Sequence, residues 1–178
     1  MTDHQRSIYT SSTDGSDPTD FALLVRRTIR ATPQRLFDAW TQAQLLLQWW
    51  GPAGVACIGA EIDLRPGGRY RIGNRLPDGH TLWITGVFER ITPPRELIYS
   101  WAVEGAPARS GSERVTVRFE ARGDTTDVIV IHERAATATI RDQHAHGWEG
   151  CLDGLVRMFD DPKNHASGGG SADFSCPG

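Results

Sequence analysis

The chain has 178 residues, with 19 basic and 22 acidic side chains, a net charge of −3 and 39% hydrophobic residues. The charges are interspersed, without a basic stripe or an acidic block, which argues against nucleic acid and anionic membrane as partners. There is no run of about 18 apolar residues and no charged-then-apolar leader, so a soluble, cytoplasmic protein is predicted, with no membrane association.

One domain accounts for the length, because roughly 140–150 residues bury about 68–70% of their unfolded surface without a staple or a metal. Cys57, Cys151 and Cys176 are three in number and far apart. They suggest neither a disulfide framework nor a metal knuckle, and read as packing thiols and a tail residue.

Residues 1–19 are rich in Ser, Thr and Asp and read as a disordered arm. The domain itself is expected over residues 20–161. Its first strand is predicted over Phe21–Arg30, around Leu24 and Ile29. Thr32-Pro33 is a helix start, with Thr as cap and Pro at the first position. Leu36, Phe37 and Trp40 then recur at helical spacing, and Leu45–Trp49 forms a second short helix.

Adjacent tryptophans, Trp49-Trp50, run into Gly51-Pro52. Neighbours on a helix point about 100° apart, so the chain turns here and plants two large rings in different places. One is expected in the core and the other at the mouth of a cavity. Strand candidates follow at Ala56–Leu64, Arg69–Arg75, His80–Ile91, Leu97–Val103, Ser112–Ala121 and Thr126–Arg134. Turns fall at Pro66-Gly67-Gly68, Pro77-Asp78-Gly79, Pro93-Pro94 and Gly123-Asp124. Without helices between them, these strands make an antiparallel meander.

Ile140, His144, Trp148, Cys151, Leu152, Leu155 and Phe159 recur at three- and four-residue steps and mark a long amphipathic helix. Asp160-Asp161-Pro162 stops it, and residues 162–178, with Ser167-Gly168-Gly169-Gly170-Ser171, read as a flexible tail. Gly147, Gly150 and Gly154 sit inside this helix at about 1 kcal/mol each relative to alanine. Close approach to the sheet, a passing ligand or a local bend would each account for them.

Taken in order, these pieces resemble the START-like (SRPBCC) superfamily, in the branch named for homologues of the activator of a heat-shock-chaperone ATPase. The resemblance spans about residues 22–160. It is carried by Arg30-Ala31-Thr32-Pro33, Leu36-Phe37-Asp38-Ala39-Trp40-Thr41, Trp49-Trp50-Gly51-Pro52 and Asp63-Leu64-Arg65-Pro66-Gly67-Gly68. Farther on come Gly86-Val87-Phe88, Pro93-Pro94-Arg95-Glu96-Leu97, Trp101, Thr126–His132 and Gly147-Trp148. It implies an α+β helix-grip fold, a curved antiparallel sheet wrapped on a long C-terminal helix, with a deep cavity between them. The family contains carriers, cyclases, toxin-sequestering proteins and chaperone cofactors, so the resemblance alone selects no activity.

Val115, Val117 and Phe119 alternate with polar residues and face inward. Thr126, Val128, Val130 and His132 share an inward face by the family pattern, and Leu97, Tyr99, Trp101 and Val103 share another. Candidate ligand-binding residues are therefore Trp49, Trp50, Tyr70, Trp83, Tyr99, Trp101, Phe119, His132, His144 and Trp148. His132 and His144 are also the acid–base candidates.

His144 and His146 lie two residues apart and Asp142 lies four before His146, a poor metal pattern; no metal or cofactor is expected. Arg69, Arg71 and Arg75 have the parity opposite to Tyr70 and Ile72 and form a solvated face. The leading function is binding of a hydrophobic or aromatic small molecule, with a homodimer among the assemblies open to it. The alternatives are a cyclase- or hydrolase-type enzyme and a chaperone ATPase co-regulator acting through its surface.

Overall fold

The computed structural model describes residues 21–106 and 112–162. The arm expected over residues 1–19, the tail beyond Pro162 and Cys176 lie outside these residues. The elements run β1 (Phe21–Ile29), α1 (Pro33–Thr41), α2 (Ala43–Trp49), β2 (Ala56–Ile62), β3 (Arg69–Arg75), β4 (Thr81–Thr92), β5 (Glu96–Val103), β6 (Glu113–Arg122), β7 (Thr125–Ala135) and α3 (Ala138–Asp160). All match the sequence reading to within about two residues, the scatter expected at element ends.

The strands form one antiparallel sheet in the order β1-β7-β6-β5-β4-β3-β2. Consecutive strands pair from β2 to β7, while β1 closes on β7, so β1 and β2 lie at opposite edges. The chain crosses from one edge to the other through α1 and α2. Thr32 caps α1, its hydroxyl accepting from Arg35 N at 3.3 Å, with Pro33 at the first position. Thr137 does the same for α3, accepting from Ile140 N at 3.2 Å.

The inward faces are those the alternation predicts. Val115, Val117 and Phe119 of β6 face the core beside Val128, Val130 and His132 of β7, and all six are buried. α3 lies chiefly over β1, and α2 over β2. Between these two helices the concave face is covered by aromatic side chains.

Two turns fix that cover. In Asp63-Leu64-Arg65-Pro66-Gly67-Gly68 the backbone is stitched to β4 by Gly67 N–H to Phe88 O at 2.7 Å and Phe88 N–H to Gly68 O at 2.9 Å. A Cβ on Gly68 would lie 2.0 Å from Asp63 O, and Gly67 has φ +79°, so this close turn requires both glycines. At Trp49-Trp50-Gly51-Pro52 the chain passes directly over α3. A Cβ on Gly154 would sit 2.5 Å from Trp49 O, and one on Gly150 2.5 Å from Pro52 Cβ. Gly150 and Gly154 thus let this loop reach α3, a reason outside the sheet approach, passing ligand and local bend that the sequence left open. Gly147 meets nothing within 4 Å and has no such reason.

Candidate functional site

Between sheet and α3 the aromatic side chains interlock. Trp40 stacks on Trp148 with centroids 6.0 Å apart and planes at 18°, and meets Trp49 at 4.8 Å and Trp50 at 6.3 Å. Trp50 contacts Trp101 and Trp148, and Tyr70, Phe88 and Tyr99 form a second group at 5.2–5.9 Å. Each such pair adds about 0.5–1.5 kcal/mol beyond the area it buries. Trp49 and Trp50 are both buried, so the expectation that one of them lies at a cavity mouth gives way to two core rings. Trp49 Nε1–H donates to Ala39 O at 2.9 Å, tying α2 to α1.

A cavity of about 20 Å³ lies between the α1–α2 segment and strands β2–β5, lined by Trp40, Leu46, Trp50, Ile62, Tyr70, Ile72, Phe88 and Tyr99. That is room for about one water molecule. The deep cavity the resemblance implies is occupied here by the protein's own rings. Three polar tips border the space. Trp40 Nε1–H donates to the Tyr99 hydroxyl at 3.3 Å, and the Tyr70 hydroxyl donates to Ser100 O at 2.8 Å. The hydrogen of the Tyr99 hydroxyl meets no acceptor among the described residues. Burial holds both tyrosines in the neutral form, their pKa values pushed above the ordinary phenol range. Beneath Tyr99, burial also pushes the Cys151 thiol up to about 12, which makes it an inert packing group.

A second, polar grouping lies at the other end of the aromatic cluster. His132 is fully buried. Its Nδ1 accepts from Trp148 Nε1–H at 3.0 Å, and its Nε2 lies 2.9 Å from Glu113 Oε2. An indole nitrogen can only donate, so Nδ1 carries the lone pair and Nε2 carries the hydrogen given to Glu113. His144 stacks on His132 with centroids 4.4 Å apart and places Nε2 2.9 Å from the same carboxylate oxygen. That second contact is at ion-pair distance without hydrogen-bond alignment, since His144 Nε2 has no bonded partner. The indole N–H of Trp101, beside both histidines, is buried without a partner.

Burial raises the Glu113 carboxyl, but His132 and His144 outweigh it and hold the group down at about 2. Burial pulls the His132 pKa below its ordinary value, against the opposing pull of Glu113, so the ring is neutral at neutral pH.

Glu113, His132 and His144 bring three donor atoms within 4.8 Å of one another, the donor set of a divalent transition-metal site. The tautomer does not fit one. A histidine that ligates through one nitrogen normally donates through the other, whereas Nδ1 of His132 faces a donor and leaves the hydrogen on Nε2. The grouping is a hydrogen-bond chain from Trp148 through His132 to Glu113. Asp142 pairs instead with Arg141, and His146 is exposed.

Of the residues singled out from sequence, Trp49, Trp50, Tyr70, Tyr99, Trp101, Phe119, His132 and Trp148 lie buried in the core, with His144 at its rim. Trp83 does not join them. It stands on the opposite face of the sheet, over Gly73, with the Arg71 guanidinium 3.7 Å from its ring. Glu113 was missed, although its parity with Val115 places an acid on the inward face of β6, which was the signal. Trp40, Leu46, Ile62, Ile72 and Phe88 were also missed as cavity wall, because an apolar lining side chain looks like any core residue.

Residues 30–160 match the family model described as Activator of Hsp90 ATPase homolog 1-like protein. No curated protein matches the chain. Solved structures do. Protein CV1439 from Chromobacterium violaceum is similar at 22% identity and TM-score 0.70, covering 80% of this chain and 98% of its own. A Rhodobacter sphaeroides protein is similar at 25% identity and TM-score 0.68, covering 85% and 96%. CalU16 from Micromonospora echinospora is similar at 24% identity and TM-score 0.64, covering 92% and 90%. With its fold and more than half its length matched, the chain belongs to the family of activator of Hsp90 ATPase homolog 1-like proteins, within the START-like superfamily.

Proposed function

We propose that this protein binds a hydrophobic or aromatic small molecule in the cavity between the α1–α2 segment and the sheet, as a cytoplasmic carrier, sequestering protein or sensor. The observation that carries the reading is the composition of the cavity wall. Eight apolar or aromatic side chains converge on it, and the Tyr99 hydroxyl offers a hydrogen without an acceptor. Apolar walls with a few placed polar groups are what a small-molecule site needs. A ligand larger than water takes its place by turning rings of the Trp40–Trp50–Tyr70 group aside. Half-buried Ile62, on edge strand β2, is the lining residue nearest solvent. Among the described residues no helix is long and apolar enough to cross a membrane.

The test is binding of N-phenyl-1-naphthylamine, an uncharged aromatic probe, followed by its fluorescence, alongside native mass spectrometry of freshly purified protein for a retained ligand. Ile72→Trp fills the space and is expected to weaken probe binding at least about tenfold. Tyr99→Phe leaves the probe unaffected and costs a ligand bearing an acceptor about 1 kcal/mol. Equal binding by Ile72→Trp would remove the interior as the site.

A second reading has its own observation. His144 is the partly exposed member of the histidine pair, and its contact with the ionised Glu113 resembles a carboxylate orienting a general base. Buried, tautomer-locked His132 does not suit that role. Turnover of an ester or cyclisable substrate that collapses in His144→Ala while folding persists would favour the enzyme.

A further inference from the structure

Trp148 belongs both to the closed interior and to the polar chain. Its ring stacks on Trp40 and packs against Trp50 and Trp101, while its N–H is held by His132 Nδ1. The ring that backs two walls of the cavity, Trp40 and Trp50, is therefore fixed by a lone pair on a titratable group.

We propose that His132 is a proton-operated latch on the interior: a second proton on its ring, at Nδ1, releases Trp148, and with it the Trp40 and Trp50 rings it backs, so that the cavity they wall opens to the ligand. The latch is a regulation of the site proposed above and rests on that reading for its purpose, but not for its mechanism. With Nδ1 protonated, two N–H groups face each other across 3.0 Å, and neither has an acceptor in that direction. Charge and burial cannot both persist in the closed form, because an ion without solvent or a full set of partners is costly.

The groups around His132 decide where the conflict falls. Glu113, from β6, stays ionised and attracts the added charge on the Nε2 side, while His144, from α3, and burial oppose it. Leu23 of β1, Val115 of β6 and Trp101 of β5 bring no charge. Only the Trp148 side is left in conflict.

Relief is available there. Residues 138–147 of α3 include no buried residue, whereas Trp148 and five residues beyond it hold the rest of the helix. Gly147, directly before Trp148, stands in open space and is a weak point of the helix. The first half of α3 can swing away there, lifting His144 off His132 and leaving the Trp148 indole free to turn, while the second half stays in place. Opening returns His132 to solvent and its pKa toward the ordinary value of about 6.5, so the open form gains population below that pH.

The latch is read directly by NMR, as protection of the Trp148 indole N–H from hydrogen exchange, with the β5–β7 amides reporting the fold. At about pH 8 the indole hydrogen is expected to be protected, and by about pH 5 its protection is lost while those amides keep theirs. Over the same range, affinity for N-phenyl-1-naphthylamine is expected to rise about tenfold, since apparent affinity follows the competent fraction. Trp148→Phe keeps the ring and removes the donor, so its probe binding loses the pH dependence. His144→Gln retains it.

An indole N–H that stays protected at about pH 5, or is lost only together with the sheet amides, overturns the latch. So does a Trp148→Phe protein with the wild-type pH dependence. If protection is lost as expected but the probe binds at neither pH, the latch stands and the ligand-binding reading falls.

Discussion

The two halves of α3 are held by different physics. From Trp148 onward the helix is buried among tryptophans, and Gly150 and Gly154 let the Trp49–Pro52 loop rest directly on its backbone. Before Trp148 none of its residues is buried, and the half is held by its Thr137 cap and the contacts of His144 and Arg141. Apolar close packing barely responds to pH and tolerates almost no added volume. A buried hydrogen-bond chain tolerates changes in volume better but depends on every proton in it. One helix thus joins a rigid wall to a titratable one.

The largest expected break of this contrast is Trp148→Ala, which removes the residue both halves share. It should cost about 3–5 kcal/mol in urea denaturation, in the range of large-to-small changes at buried aromatics. A loss near 1 kcal/mol would mean that the aromatic cluster collapses readily and is no wall. Gly154→Ala should cost about 1–3 kcal/mol despite the helix preference for alanine, because its Cβ meets the Trp49 carbonyl oxygen, which belongs to backbone.

The polar half predicts a pH dependence with a definite sign. The folded pKa of His132 lies below its ordinary value, so the unfolded chain binds more protons between the two. Stability is then complete above about pH 6.5 and declines as pH falls toward the folded value, by about 1.4 kcal/mol for each unit separating them. Glu113, held at about 2, adds a further loss as pH falls from the ordinary carboxylate range of about 4.3 toward that value. Denaturation midpoints of wild type and His132→Gln across this range check it; parallel curves would assign the upper part of the decline elsewhere.

Smallest and opposite in sign is Gly147→Ala. Open space surrounds that position, so the protein should gain about 0.5–1 kcal/mol from helix preference alone. Set beside Gly154→Ala, it separates a glycine required by contact from one that merely weakens the helix.

Trp83 shows where sequence reading stopped. Its aromatic character suggested a pocket, yet its register opposite Gly73 puts it on the convex face; strand parity relative to Tyr70 is fixed only once the turn at Pro77-Asp78-Gly79 is placed. His132 and His144 were visible as candidates, but their acid, Glu113, comes from another strand, and nothing local couples them.

The sequence by itself determined the order of elements, the inward parity of β5, β6 and β7, the cap at Thr32 and the family. These depend on local periodicity and short-range sterics, which a linear pattern carries. Only the tertiary structure decided that the interior is filled by its own tryptophans, and that a buried lone pair on His132 holds one of them in place. Packing volume and hydrogen-bond direction arise between segments far apart in the chain, and no spacing along it encodes them.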